Sequence, residues 1–498
     1  MRSNKKIIFY FSIVFLLTLI LFVFQNLLIG QNENNDTSLW HYIGWSWLHF
    51  NQPTIIGFAD NKPFGIHVIY YFSSFFFGLN TLPFTVLSLI LKFLTSFVVY
   101  LTTLKLEKKQ HIAFISLIIF LLLSSEKNYD NNSSIYTESF VNFFGMLSFY
   151  LLLRNNNIFY IIISSLLLLI AYIFKQSIIF IIPGYLAFFY LFSKKEYIKN
   201  IFAFLIFFLI FLCLYIYCIS LTGINFNFII KKTFFPLNYE SDTVMQFLPR
   251  INNFLLTWSE KFKSITIAFA FITFCFFCIN KLKSKNIILL STFLICLFFS
   301  IQFTGITNGH QLSQIFPILS ISFAVSLNKI FENFNDRIPK HIYLIPPILL
   351  FFPTINLSYL KQNINIYKKG NIYFNQASSS TYDESFKIKE YLDKNYNKNE
   401  LIHTHFRDPT IILITERQSA TKYINTIFLY SGYGNGTPIK KNIDLLLQDL
   451  NQNKPKIIIT LNDYSREAPG KKPSVLIEIL KNYTLKKKIS NYLIYERK

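Results

Sequence analysis

Three carboxylates and three cations stand between or at the ends of long apolar blocks: Asp36, Asp60 and Glu138, and Lys62, Lys175 and Arg250. A carboxylate at such a boundary can take a proton from an acceptor hydroxyl or amine. A lysine there can balance a phosphate as a mobile point charge, and an arginine can hold one through two parallel hydrogen bonds. Each residue also has a plain structural alternative. Asp36 can cap a helix ahead of Leu39-Trp40, and Glu138 can sit favourably at the start of a helix. Arg250, after Pro249, can be a surface residue. His310, in Thr307-Asn308-Gly309-His310-Gln311, is a lone histidine of the kind that most often serves structure.

Several chemistries lose their usual markers. The chain has no P-loop and no G-x-S-x-G, H-E-x-x-H or Rossmann glycine pattern. Its five cysteines all fall in apolar blocks, and Cys275-x-x-Cys278 stands among phenylalanines with no second pair, so packed thiols are expected rather than zinc or a disulfide framework.

The elements that must position these residues follow from composition. The 498 residues are 52% hydrophobic, 18% aromatic and only 15% charged, with mean hydropathy +0.38. Soluble domains carry roughly 25% charged residues, so a soluble enzyme is disfavoured. Apolar blocks recur at 7–28, 81–104, 112–125, 138–153, 158–174, 177–192, 201–221, 264–280, 287–302, 312–328 and 342–356, about eleven spans of membrane-helix length. The basic start followed by 7–28 reads as an uncleaved first helix, because the apolar run is long and lacks a small-x-small cleavage site.

Lys plus Arg (48) exceed Asp plus Glu (26) by 22. The excess lies mainly in the connectors around Lys105–Lys109, Arg154, Lys194–Lys199, Lys281–Lys285 and Lys329–Lys340. That pattern is the positive-inside rule, so a nucleic-acid partner is not expected. The connectors alternate correctly only if the block 64–78 lies in the membrane interface instead of crossing. The N-terminus is then cytoplasmic and the C-terminus extracytoplasmic, in a multi-pass cytoplasmic (inner) membrane protein. Lys231, Lys232, Lys261 and Lys263 break the alternation and suit anionic headgroups. The first outer loop, 29–80, carries Trp40, Tyr42, Trp45 and Trp47, aromatics that suit an interfacial helix.

From about 357 the character changes, and no span-length apolar run remains. Residues 400–406, 411–415, 457–460, 484–489 and 491–496 read as strands, and 440–453 and 473–482 as helices. The expected architecture is a polytopic α-helical membrane domain, 1–356, followed by a small extracytoplasmic α/β domain, 357–498, of ordinary domain size.

Taken in order, Asp36, Tyr42, Gly44, Pro53, Asp60-x-Lys62-Pro63 and Phe77-Gly78 resemble the start of the GT-C glycosyltransferases related to protein O-mannosyltransferases and lipid A aminoarabinose transferase. Thr137-Glu138, Phe174-Lys175, Gly309-His310, Glu416-Arg417 and the ending Leu493 to Arg497 extend the resemblance over essentially the whole chain. It implies a GT-C-like membrane enzyme that moves a sugar from a polyprenyl-phosphate carrier to a glycan, lipid or protein acceptor on the outer face, with inversion. Asp36 matches the family's acidic first-loop position, and Lys62 and Lys175 match basic positions assigned to phosphate. Thr37 follows Asp36 where the family often has a second acid, which leaves Asp60 or Glu138 for that role. Arg250, Tyr42 and His310 complete the set of candidates. No cofactor is called for, and a divalent metal stays an open alternative.

Three other functions share a multi-span body: a lipid-linked glycan transporter or flippase, an O-antigen ligase or polymerase, and a non-catalytic glycan-assembly subunit. A transporter would show inverted repeats and mid-membrane charges. A ligase or polymerase would carry its main outer loop between late spans.

Overall fold

A computed structural model describes residues 12–20, 22, 35–51, 62–80, 82–124, 136–193, 196–221, 226, 229–230, 284–303, 309–333, 345, 380–406, 409–426, 429, 439–462 and 474–498. Asp60, Arg250, the Cys275/Cys278 pair, the block at 264–280 and the block at 342–356 apart from Ile345 lie outside the described residues, as does the side chain of His310. The chain forms two compact units. One takes 1–30, 84–217 and 244–369; the other takes 31–83, 218–243 and 370–498.

The first unit is helical. Its described helices include α3 (Leu82–Glu107), α4 (Gln110–Leu123), α5 (Thr137–Arg154), α6 (Ile158–Phe174), α7 (Ile182–Phe192), α8 (Tyr197–Ser220), α9 (Lys285–Phe303) and α10 (Phe316–Asn333); α1 (Asn35–Phe50) and α2 (Phe64–Phe77) are in the other unit. Among the described residues, two helices are long and apolar enough to cross a membrane, Val86–Glu107 and Tyr197–Ser220. Shorter apolar helices occupy Gln110–Leu123, Ile158–Phe174, Gln176–Phe192 and Lys285–Ile301. The count of eleven spans therefore stays an expectation.

Small and hydroxyl residues hold these helices together. Ser148 of α5 meets Ser164 of α6 at 2.7 Å, and the Tyr185 hydroxyl of α7 lies within hydrogen-bond distance of Ser148 (2.9 Å) and of the Gly145 carbonyl (3.1 Å). Small residues let the helix backbones approach closely, and such bonds tie them side by side. Asn157 starts α6 by accepting from the Tyr160 amide.

The basic connectors converge. Lys109 bonds Asn328 and Glu332, Asn286 bonds the Leu106 carbonyl and Glu107, and Asn328 also bonds Glu107. Lys285 donates to the Leu191 carbonyl, and Asn156 to Ser193. Segments expected on one side of the membrane thus meet at one end of this unit.

The second unit joins the first-loop helices α1 (Asn35–Phe50) and α2 (Phe64–Phe77) to a four-stranded sheet. Its strands are β1 (Ile402–His405), β2 (Ile457–Leu461), β3 (Tyr483–Ile489) and β4 (Tyr492–Arg497), in the order β1-β2-β4-β3. β1 and β2 run parallel with Ile402 opposite Ile457, and β4 runs antiparallel to both its neighbours. Helix α13 (Lys440–Asn453) turns Ile443, Leu446 and Leu450 inward at helical spacing and ends at Lys454, left-handed at φ 44°, before Pro455. The edge strand β3 exposes Lys486, Lys487 and Lys488, which discourages edge-to-edge pairing.

One element differs from its sequence reading. Residues 411–415 form a helix, α12 (Thr410–Thr415), and not a strand. All six of its residues are buried, and an apolar run covered on every side carries no period to distinguish the two. It is packed against α11 (Ser380–Asn395) and α1.

Helix α1 is buried continuously from Thr37 to Ser46, with α2 and α12 both packed against it. Gly44 makes the α1–α2 contact. A Cβ there would stand 2.6 Å from the Tyr70 carbonyl carbon and 2.6 Å from the Tyr71 nitrogen, and backbone atoms cannot rotate away. Gly44→Ala is expected to destabilise the unit by about 1–3 kcal/mol, read as a lower melting temperature of the purified protein in detergent.

Two buried histidines lead us to expect acid-sensitive stability of the sheet. His403 and His405 are fully buried on β1 and share a hydrogen bond of 3.3 Å. Burial, and for His403 the neighbouring ring as well, lowers both below the ordinary histidine value, His405 to about 4. Such histidines bind protons more readily when unfolded, so their contribution is complete above about pH 6.5 and is lost as pH falls from there toward 4. The melting temperature should fall between pH 7 and pH 5; a flat profile in His403→Gln/His405→Gln would assign the effect to this pair.

Candidate active site

In the second unit, α1 begins at Asn35, so Asp36 stands in its first turn, where the helix dipole favours a carboxylate. Asp36 is half-buried. Trp40 follows one turn later on the same face, because positions i and i+4 are neighbours on a helix. Lys62 lies over the Trp40 ring, its Nζ 5.8 Å from the centroid. The chain therefore folds Lys62 back onto the α1 face that carries Asp36.

Tyr42 is fully buried. Its hydroxyl donates to the Arg417 carbonyl (3.0 Å) and accepts from the Ser419 amide (2.8 Å). Burial pushes this phenol well above the ordinary tyrosine value, against smaller opposing effects from the bonds to Ser419 and Ser46. A phenol engaged in this way has its polar atom turned to backbone, so Tyr42 is a holding residue here. His41 reaches the Gly78 carbonyl at 3.2 Å, a second tie between α1 and the end of α2.

In the first unit, Glu138 and Lys175 form a buried ion pair at 2.6 Å, their side chains 2% and 5% exposed. Thr137 donates a further bond to Glu138 at 3.0 Å. The pair is built by helix ends: Glu138 lies in the first turn of α5, and Lys175 follows the last residue of α6 in an extended conformation. Phe174 stacks on Phe140 with ring centroids 4.0 Å apart, which fixes the turn that presents Lys175. One turn beyond Glu138, Asn142 donates to the Ser313 carbonyl, which brings the segment after His310 to the same end of α5.

The candidates thus fall into two groups, Asp36 with Lys62 and Glu138 with Lys175. Sequence reasoning treated Glu138 and Lys175 as separate acid and phosphate ligand; no spacing signal pairs residues 37 positions apart. Asn142, and the hydrogen bond of Ser38 to Thr410 that ties α1 to α12, carried no sequence signal either. Among the described residues, no three His, Cys, Asp or Glu side chains cluster as metal ligands.

No known family and no curated protein matches this sequence. Solved structures do resemble it. ArnT from Cupriavidus metallidurans bound to undecaprenyl phosphate aligns with TM-score 0.59 and 10% identity, covering 99% of this chain and 98% of that one. The same protein in the apo state gives 0.58 at 12% identity, with the same coverage. The Archaeoglobus fulgidus oligosaccharyltransferase, in complex with Zn and sulfate, gives 0.56 at 12% identity over 97% of this chain and 73% of that chain. Over nearly its whole length, the chain shares the fold of ArnT and of the archaeal oligosaccharyltransferase.

Proposed function

We propose that the protein is an integral membrane glycosyltransferase that moves a sugar from a polyprenyl-phosphate donor to an acceptor on the outer face of the cytoplasmic membrane. The observation that carries this reading is the near-complete fold match to ArnT, a protein solved with undecaprenyl phosphate bound. The acceptor hydroxyl or amine attacks the anomeric carbon, the carbon–oxygen bond to phosphate breaks, and the configuration inverts. Phosphate is a good leaving group, so the main tasks are a base for the acceptor and cations for the departing anion. Asp36 takes the acceptor's proton, and Lys62 and Lys175 stabilise the phosphate. In this reading Glu138 acts through Lys175, its ion-pair partner. Asp60, Arg250 and His310 keep the roles their residue types suggest, namely second acid, phosphate ligand and structural or site histidine.

Mass spectrometry of surface glycans with and without the gene tests the reading. Loss of one sugar residue, with the lipid-linked donor accumulating, is expected; an unchanged glycan would sink it. A flippase would instead strand the donor on the cytoplasmic side.

The convergence of connectors around Lys109, Asn156, Leu191, Lys285 and Asn328 supports one common side for these connectors. With the positive-inside rule that side is cytoplasmic; we further propose a cytoplasmic N-terminus, an extracytoplasmic C-terminal domain, 1–356 as the catalytic membrane domain and the block 64–78 in the interface. A reporter active only in the cytoplasm, fused after Lys498, should be silent, and cysteines placed at Lys105 and Asn308 should label from opposite sides. Reporter activity would overturn both this topology and an outer-face reaction.

A further inference from the structure

We propose that the C-terminal α/β domain sets the position of Asp36 by gripping helix α1, with Tyr42 and Arg417 as the positioning residues. The proposal rests on Asp36 as the base.

The grip is built in three layers. The buried Arg417 guanidinium collects the carbonyls at the end of α11: Nη2 donates to Leu392 (3.2 Å) and Tyr396 (3.1 Å), and Nη1 to Asn397. Nη2 also meets the Asp393 carboxylate at 3.2 Å. A cation suits this place because the end of α11 carries the negative end of the helix dipole.

Arg417 in turn holds the strip Arg417–Ala420, which lies along β1. The Ile402 amide donates to the Gln418 carbonyl (3.1 Å), and the Ala420 amide donates to the Ile402 carbonyl (2.8 Å). Extended backbone alternates its polar groups from side to side. With Gln418 and Ala420 turned to β1, the Arg417 carbonyl and the Ser419 amide face the other way. Those two groups are the ones that the Tyr42 hydroxyl engages, as donor and acceptor. Tyr42 completes an edge that β1 leaves half used.

The third layer is α1 itself. Ser38 meets Thr410 of α12 at 3.1 Å, four residues before Tyr42. The helix is thus held on the domain at two successive turns, and Asp36 stands half a turn beyond the first hold. A helix is stiff over so short a span, about 9 Å from Asp36 to Tyr42 at 1.5 Å per residue. Displacing the grip displaces the carboxylate, and a shift of about 1 Å in a reacting group can cost on the order of 10²-fold in rate.

The test uses the full-length protein in native membranes, with Cys213→Ser and Cys218→Ser in every sample and lipid-linked sugar extracted from the same cells as donor. Tyr42→Phe should lower kcat by about 10²-fold with donor KM changed less than about twofold. Arg417→Gln should show the same split. Ser38→Cys with Thr410→Cys should form a disulfide on oxidation, since the two side chains already meet. In the Tyr42→Phe background that crosslink should restore at least a tenth of the wild-type kcat, and reduction should abolish the gain. A purely structural role would lower the yield of folded protein and leave the kcat of the folded fraction alone. Wild-type kcat in Tyr42→Phe, absence of the crosslink, or a crosslink that restores nothing overturns the proposal. Asp36→Asn, run alongside, separates the two readings. If it stays active while Tyr42→Phe is slow and rescued, the base assignment fails and the grip on α1 stands.

Discussion

Asp36→Asn is expected to lower the rate of transfer by about 10²–10⁴-fold, the usual cost of removing a general base. Asparagine keeps the size and most of the hydrogen bonding of aspartate but cannot accept the acceptor's proton. It also removes a favourable charge from the first turn of α1, an effect of only about 0.3–1 kcal/mol at such a position. Folding and membrane insertion should therefore survive, and donor binding should change little, because the phosphate is held by cations. The measurement is a single-turnover rate with purified protein and extracted donor, beside an equilibrium binding assay. Transfer near the wild-type rate would remove Asp36 from the mechanism and make Asp60 the next residue to test.

The second large effect concerns the ion pair. Lys175→Ala leaves the Glu138 carboxylate buried at 2% exposure without its cation at 2.6 Å. Breaking such a pair from one side typically costs about 3–5 kcal/mol, because a buried charge loses its counter-charge. Loss of activity in Lys175→Ala alone would therefore say nothing about phosphate binding. The double variant Glu138→Gln/Lys175→Met separates the effects. Neutral residues of similar volume often replace a buried pair at little cost, so its melting temperature should recover most of what either single change loses. If Lys175 serves the phosphate, the folded double variant should still lose about 10²–10³-fold in transfer. Recovery of both stability and activity would make the pair a purely structural brace.

Both predictions turn on facts of different legibility. Asp36 could be singled out from its place after an apolar block and before an aromatic run, since an N-terminal carboxylate and the helix that follows are local matters. The same is true of α6 and α13, whose bounds the apolar period, Asn157 and Pro455 mark within the chain itself. The strand read at 411–415 failed because Ile411 to Ile414 are buried on every side, which erases the pattern that separates helix from strand.

What the sequence by itself determined was the class of molecule: long apolar blocks, basic connectors and a polar α/β tail follow from composition and periodicity, which act residue by residue. What only the tertiary structure decided was partnership. Glu138 finds Lys175 because α5 and α6 form a hairpin whose ends meet. Lys62 finds Trp40 because the first loop folds back on α1. Tyr42 finds Arg417 and Ser419 across more than 370 residues because residues 31–83 and 370–498 share one compact unit. Hydrogen bonds and ion pairs act over about 3 Å, whereas separation along the chain does not set distance in space, so no spacing in the sequence could have named these partners.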